Sequence, residues 1–375
     1  SEDGDNINMN NVINGLPIRL IESLLIFVSI HHEYKMAEKY GNFCFSILQY
    51  LSPVSILSIL RLFNVKNNFD LSSSFVSSLL TFFMNYVINT GVPLDYIKKK
   101  IPVLMKIPEE VVVIDKNTNK IGKKKNILAV SPLFIVESQV LVTKIFDSLP
   151  KYFAKLSKED AELFINFCLE STNKIAGYLA ILMILLRDEE LREQEEQQTS
   201  TNTTTTTTTN GNEDGNGNDQ LSEQKVMSLI IPKKLHMMIL NSMKQSEKDN
   251  DTIAIQIASE CVAIHLAKLP EFLSDINENI KTENVSCCFI ESAVARRLNL
   301  SDQELYNIIF RTSERIKNQN LTNYVLHELA SIYDTKSIQM VSLLMGDQQM
   351  QQLLNLLCEA RVVSTYKMYL ISMCI

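Results

Sequence analysis

Glycine is scarce in this chain, with ten residues among 375, under 3% against about 7% in an average protein. Three of the ten, Gly211, Gly215 and Gly217, fall within one low-complexity tract. Phosphate-binding glycine loops, hairpin-rich β folds and doubly wound sheets need more backbone positions with positive φ than the remaining seven supply. The shortage therefore argues against a nucleotide-binding α/β enzyme.

The motifs of metal and nucleophilic chemistry are also lacking. The seven cysteines include no CxxC pair, and no two of the five histidines are four residues apart. There is no Gly-x-Ser-x-Gly elbow, Walker loop or kinase signature. We therefore expect no metal, no cofactor and no enzymatic activity. The scattered cysteines are typical of reduced core thiols, which favours a cytoplasmic or nuclear location.

Long apolar runs and excess positive charge are missing as well. The longest apolar run, Ile175 to Leu186, has 12 residues, fewer than the ~18–20 of a membrane span. We therefore expect no transmembrane segment, and no signal peptide is apparent. The formal net charge of −7 argues against a dedicated nucleic-acid-binding protein.

What the chain does have is a repeat. Pro17, Pro53, Pro93 and Pro132 lie 36, 40 and 39 residues apart, and proline is favoured at the first position of a helix. Apolar residues follow each proline at offsets of one, three and four, which places them on one helical face. These residues are Ile18, Leu20 and Ile21; Val54, Ile56 and Leu57; Leu94, Tyr96 and Ile97; and Leu133, Ile135 and Val136.

In repeat length and helix-opening prolines the chain resembles armadillo- and HEAT-type proteins. The resemblance covers mainly residues 16 to 150, with a weaker echo from 231 to 280 around Pro232 and Pro270. It implies an all-α fold, an α-solenoid of stacked helical hairpins. Such arrays present a long curved surface that binds partners.

Four segments are expected along the chain. Residues 1–15 are polar and predicted to be disordered, and residues 16–192 form a first helical-repeat block. Residues 193–222 contain runs of Thr, Asn and Gly that cannot bury apolar area, which predicts a disordered loop. Residues 223–375 form a second helical block, which either continues the first array or stands apart from it.

Apolar spacing predicts the helices of the second block, and Ser301 with Glu304 has the pattern of a capping box. The predicted helices are 234–248, 252–269, 270–280, 287–298, 301–317, 321–332, 336–345 and 348–374, the last as one helix or two.

Because the chain begins at Ser1 rather than Met and ends inside an apolar run, we expect it to be part of a longer polypeptide.

One interruption carries the main positive charge. Residues 111–114 are β-branched and precede a turn-prone stretch, which predicts a small β-hairpin or extended insertion near residues 110–126. From residue 98 to 125, nine lysines against three carboxylates give a local net charge of +6. This charge suggests contact with phosphate or an acidic partner, although lysines also complement helix C-termini and protect strand edges. The candidate residues are Lys98, Lys99, Lys100, Lys123, Lys124 and Lys125.

The functional expectation follows from the architecture. The chain is predicted to be a non-enzymatic scaffold or adaptor subunit that binds protein partners along its helical surface. A vesicle-trafficking or coat-associated solenoid is the alternative within the same fold. An all-α enzyme with dispersed catalytic residues is the alternative from another class, and it would be recognised by a deep polar pocket.

Overall fold

The computed structural model describes most of the chain from Leu51 onward, and isolated residues before it. Within this part the fold is all-α and contains no strand, as the sequence predicts. The insertion predicted near residues 110–126 lies outside the described residues, and so do residues 1–15. The described residues are 23, 48, 51–64, 72–104, 132–202, 229–249, 251–273, 284–336, 338–362 and 364–375.

Thirteen α-helices are found in these ranges, with 3₁₀ turns at Pro270–Phe272 and Arg315–Lys317. The helix Ile338–Glu359 bends at Gly346, whose φ of 68° is non-helical. The helices are α1 Pro53–Asn64, α2 Ser73–Thr90, α3 Leu94–Lys100, α4 Pro132–Phe153, α5 Lys158–Glu170, α6 Lys174–Asn202, α7 Leu235–Lys248, α8 Thr252–Lys268, α9 Val285–Arg297, α10 Asp302–Glu314, α11 Thr322–Lys336, α12 Ile338–Glu359 and α13 Thr365–Cys374.

The helices pack in two rows. In the first row α4, α6, α8, α9, α11 and α13 follow one another, and each helix contacts the next. The second row holds α2, α5, α7, α10 and α12; here α5 contacts both α2 and α7, and α10 contacts α12. Contacts between rows join α5 to α6, α7 to α8, α9 to α10 and α11 to α12. The contacts of α6 with α8 and of α5 with α7 connect the parts of the chain on either side of residues 203–228.

Helices α8 and α9 form the centre of the first row. Every residue of α8 from Ala254 to Leu266 is buried, and so is every residue of α9 from Ser286 to Ala295. Helices surrounded on all sides are expected to be apolar around their whole circumference. The few polar residues inside these two helices therefore need partners within the protein, and they form the site described below.

The described prolines of the repeat lie at helix starts, as predicted. The apolar residues that follow them are not buried to the same extent in each repeat. Pro53 and Pro132 are the first residues of α1 and α4, and Pro93 precedes α3 directly. Tyr96 is buried at the third position of its repeat, whereas Ile135, at the same position of the next repeat, is half-exposed. Pro17 lies outside the described residues.

The backbones of α5 and α6 come very close to each other where these two helices cross. A Cβ atom on Gly177 of α6 would lie 2.0 Å from the carbonyl oxygen of Cys168 in α5, so only glycine fits there. No single helix in the described ranges has the length and hydropathy of a membrane span; α2 and α3 meet that test only when taken together across a bend of 119°.

Candidate functional site

The lysine triplet predicted as a contact site lies at the C-terminal end of α3. Lys98 and Lys99 are exposed. Lys100 is turned toward the protein, with Nζ 3.8 Å from Oδ1 of Asp147 and 5.6 Å from the centre of the Tyr96 ring. The second triplet, Lys123 to Lys125, lies outside the described residues. Two of the six predicted lysines are thus placed at the surface, and a third has an ion-pair partner.

Residues 94–104, here called the crossing segment, run over the first row of helices. Tyr96 stacks on Phe146 of α4 with ring centres 5.9 Å apart, and its hydroxyl donates a hydrogen bond of 2.8 Å to Asp147. Burial, followed by this carboxylate, raises the pKa of Tyr96 well above its ordinary value. The tyrosine therefore stays protonated as a donor and anchors the segment to α4.

Beyond α3 the crossing segment forms a turn that covers the centre of the row. The amide of Leu104 donates to the carbonyl of Ile101 at 3.1 Å, with Pro102 at the second position of the turn, where proline is favoured. Ile101 and Leu104 are buried, Val103 is half-buried and Pro102 is exposed. The turn thus inserts its first and fourth side chains and leaves the proline outside.

Ile101 and Val103 line one cavity with Phe289 of α9 and a group of polar residues, here called the polar cluster. The space left amounts to about 10 Å³, roughly what one water molecule needs. An aliphatic turn therefore lies on a polar rather than an apolar surface. The polar cluster consists of Gln256, Ser259 and Glu260 of α8, Arg296 of α9 and Glu328 of α11.

Glu260 joins α8 to α9. It is buried, and its two oxygens accept hydrogen bonds of 2.5 Å from Arg296 and 2.7 Å from Arg297. Both arginines belong to the last turn of α9, where positive charge also complements the helix dipole. Arg297 further approaches Glu189 of α6 at 3.7 Å, so one arginine spans two steps of the first row.

The same arrangement occurs at neighbouring steps. Asp188 of α6 is buried and pairs with Lys268, in the last turn of α8, at 3.1 Å. Glu291 of α9 is buried and accepts from Arg311 at 3.0 Å and from Arg315, which follows α10. Each of these carboxylates is thus neutralised by a cation near the end of the next helix along the chain or along the row.

Two members of the polar cluster are less well satisfied. Glu328 is buried, and its Oε1 lies 2.6 Å from Nδ1 of its neighbour His327. Gln256 is 6% exposed, and its buried Oε1 accepts no hydrogen bond in the described part of the chain. A buried acceptor without a donor is unfavourable by about 1–3 kcal/mol. Both groups border the cavity beneath the crossing segment.

A buried histidine pair lies where α7 meets α8. Nδ1 of His236 is 3.3 Å from Nδ1 of His265, and Nε2 of His265 is 3.2 Å from the carbonyl oxygen of Pro232. A carbonyl only accepts, so Nε2 of His265 carries its proton and Nδ1 accepts from His236. Burial, followed by the proximity of His236, lowers the pKa of His265 to about 4.

A larger groove, of about 570 Å³, lies beside the start of α11. It is bordered by the 3₁₀ turn Arg315–Lys317, the start of α11 and the residues that follow α12, and it mixes apolar with charged side chains. Its charged residues are Lys317, which is paired with Glu314 at 2.5 Å, Glu359 and Arg361.

Metal ligands do not converge in the described part of the chain, where no group of three His, Cys, Asp or Glu side chains could hold an ion. Cys168 and Cys261 are buried thiols, and burial raises the pKa of each far above its ordinary value. They remain protonated core residues, as the sequence suggested.

Sequence reasoning did not identify the polar cluster. A usable signal was present, because Glu260 is the one charged residue between Thr252 and Leu266, a stretch that is otherwise mostly apolar. Glu328 stands in a similar position between Val325 and Ile332. A lone carboxylate in a run of this kind indicates a buried ion whose partner comes from another helix.

Comparison with known proteins provides no relative on which to base a function: no family model, no curated protein and no solved structure matches this chain. A function for this chain is therefore inferred from its own residues.

Proposed function

We propose that this chain is an α-solenoid scaffold, a non-enzymatic adaptor that binds protein partners along its rows of helices. The observation that supports the proposal is the serial contact of α4, α6, α8, α9, α11 and α13, with a second row packed alongside. Stacked helical pairs of this kind bury a continuous core and offer an extended outer surface to partners.

The charged groups support the same proposal. The carboxylates of Asp188, Glu260 and Glu291 are each held by cations of other helices in the array. Buried carboxylates paired in this way join neighbouring helices, which supports a structural role for them in the array.

An acidic partner is the specific form of the proposal at the exposed end of α3. Lys98 and Lys99 stand next to Lys100, so the surface presents positive charge on a chain whose net charge is −7. A positive patch on an otherwise negative protein attracts acidic partners to that patch. Added salt screens this attraction. The location proposed for such complexes is the cytoplasm or nucleus.

The test is purification of the tagged protein from the cells that produce it, followed by mass spectrometry. A scaffold should retain partner proteins in fixed stoichiometry, and the Lys98→Glu, Lys99→Glu variant should lose an acidic partner. Lys233→Glu with Lys234→Glu is the matched control, because this second adjacent pair of lysines is also exposed. A protein that purifies alone would contradict the scaffold proposal, and equal partner recovery from both variants would contradict the role of α3.

A further inference from the structure

We propose that the cavity beneath the crossing segment is a binding site for one water molecule, which joins α8, α9 and α11. Gln256, Glu328 and Arg296 line this cavity. The water is inferred to donate one proton to Oε1 of Gln256 and the other to the carboxylate of Glu328, and to accept a hydrogen bond from the guanidinium group of Arg296. The inference goes beyond the scaffold function proposed above and does not depend on it.

The size of the cavity limits its occupant to a molecule as small as water. Its volume of about 10 Å³ is at the lower limit for one water and leaves no room for an organic ligand. Ile101, Val103 and Phe289 form the apolar part of the wall; Ile101 and Phe289 are buried and Val103 is half-buried. The occupant is therefore enclosed by side chains of the core.

A donor for Gln256 is the first requirement of the site. In the described part of the chain no group donates to its Oε1 atom, although the residue is only 6% exposed. The neighbouring hydroxyl of Ser259 donates to the carbonyl of Ile255 at 2.8 Å, and the side chains of Ile101 and Val103 are apolar. Since a buried acceptor normally has a partner, we infer that its donor comes from a molecule in the cavity.

Glu328 and Arg296 complete a set of three partners. Nδ1 of His327 lies close to Oε1 of Glu328, which leaves the other carboxylate oxygen to accept from the water. Arg296 donates to Glu260 through Nη2 and to the carbonyl of Ser292 through Nε, and its guanidinium group has further N–H groups to offer. A buried water typically makes about three hydrogen bonds, which this set provides.

The charges around the cavity favour a neutral molecule over an ion. The carboxylates of Glu260 and Glu328 repel an anion, and the guanidinium group of Arg296 repels a cation. The described residues also contain no group of three His, Cys, Asp or Glu side chains that could hold a metal ion. Water fits both the charge and the hydrogen-bonding pattern of the wall, because it is neutral and both donates and accepts.

A water in this position connects successive helices of the first row. Gln256 belongs to α8, Arg296 to α9 and Glu328 to α11, and α8 and α11 each contact α9. The three hydrogen bonds of the water thus join all three helices at one point beneath the crossing segment.

The test counts bound waters by oxygen-17 magnetic relaxation dispersion, which detects water molecules held for longer than the protein takes to tumble. Val103→Ile adds a methylene group at the cavity wall and should displace the water, so its count should fall by one from the wild-type count. Val92→Ile makes the same change at another half-buried valine outside the helices and should leave the count unchanged. Equal counts for wild type and Val103→Ile would overturn the proposal, and so would an equal loss in both variants.

A second variant and a direct observation keep the proposal testable if Val103→Ile does not fold. Gln256→Met keeps the length of the side chain and removes the acceptor, so it should lose the same water. A crystal structure of the wild-type protein should show one density peak within hydrogen-bonding distance of Oε1 of Gln256 and of the carboxylate of Glu328. A protein group that donates to Oε1 of Gln256 in place of this peak would overturn the proposal, and so would a wild-type count in Gln256→Met.

Discussion

The histidine pair between α7 and α8 predicts a defined loss of stability in acid. In the folded protein the pKa of His265 is lowered from 6.5 to about 4. Between these two values the unfolded chain binds a proton that the folded chain does not bind. The free energy of unfolding therefore falls as the pH decreases through 6.5 and levels off near pH 4. Linkage over this interval gives a loss of about 2 kcal/mol between pH 8 and pH 5.

The structure explains why the folded protein resists this proton. His265 is 1% exposed, and a proton on its Nδ1 would face the N–H of His236 at 3.3 Å. Among the charged groups around it, Lys268 opposes the added charge and Asp188 favours it, but burial has the larger effect. The aromatic ring of Phe272, 5.2 Å from that of His236, closes the pair from another side.

The assay is urea unfolding of the wild-type and His265→Leu proteins at pH 8 and pH 5. At pH 8 the variant should be less stable by about 1–3 kcal/mol, because it leaves the Pro232 carbonyl and the His236 N–H without their partner. At pH 5 that deficit should shrink by about 2 kcal/mol, since the variant has no proton to exclude there. Ile264→Val, on the same helix, should shift both measurements equally. Parallel pH dependences of the wild-type and leucine proteins would refute the reasoning.

Two further predictions concern packing and buried charge. Gly177→Ala should destabilise the protein by at least about 1–3 kcal/mol, since its Cβ would lie 2.0 Å from the carbonyl oxygen of Cys168; an unchanged thermal midpoint would contradict this close approach. Glu260→Ala should cost about 3–5 kcal/mol in urea unfolding, because it leaves Arg296 buried without its carboxylate. The control Glu190→Ala removes an exposed pair with Arg187 and should cost under about 1 kcal/mol; equal losses would contradict the importance of burial.

Much of the local structure could be predicted from the sequence. The capping box of Ser301 and Glu304 is formed, and helices predicted at 234–248 and 252–269 are found at Leu235–Lys248 and Thr252–Lys268. The stretch predicted at 348–374 as one helix or two is divided between α12 and α13, with the break after Glu359. These features depend on residues close together in the chain, so their patterns are visible in a single sequence.

What the sequence did not reveal depends on distant residues. Glu260 meets Arg296 and Arg297 only because α8 and α9 lie side by side, and the turn at Ile101 reaches them across more than 150 residues of chain. Helical periodicity shows which face of a helix is apolar but not which helix will cover it. The pattern after Pro132 illustrates the limit, because its apolar residues Ile135 and Val136 are half-exposed in the folded protein.

The buried ion pairs also affect how neighbouring helices in the rows are aligned. Apolar residues in place of both the carboxylate and the cation of each pair would avoid the desolvation penalty, and such replacements are often as stable as the pairs. Ion pairs differ from apolar contacts in allowing only one alignment, since a helix shifted by one turn would leave a carboxylate and an arginine buried apart. Each carboxylate of this series meets its cation near a helix end. We therefore infer that these pairs fix the register of neighbouring helices, which holds Gln256 and Glu328 at a constant separation beneath the turn of residues 101–104.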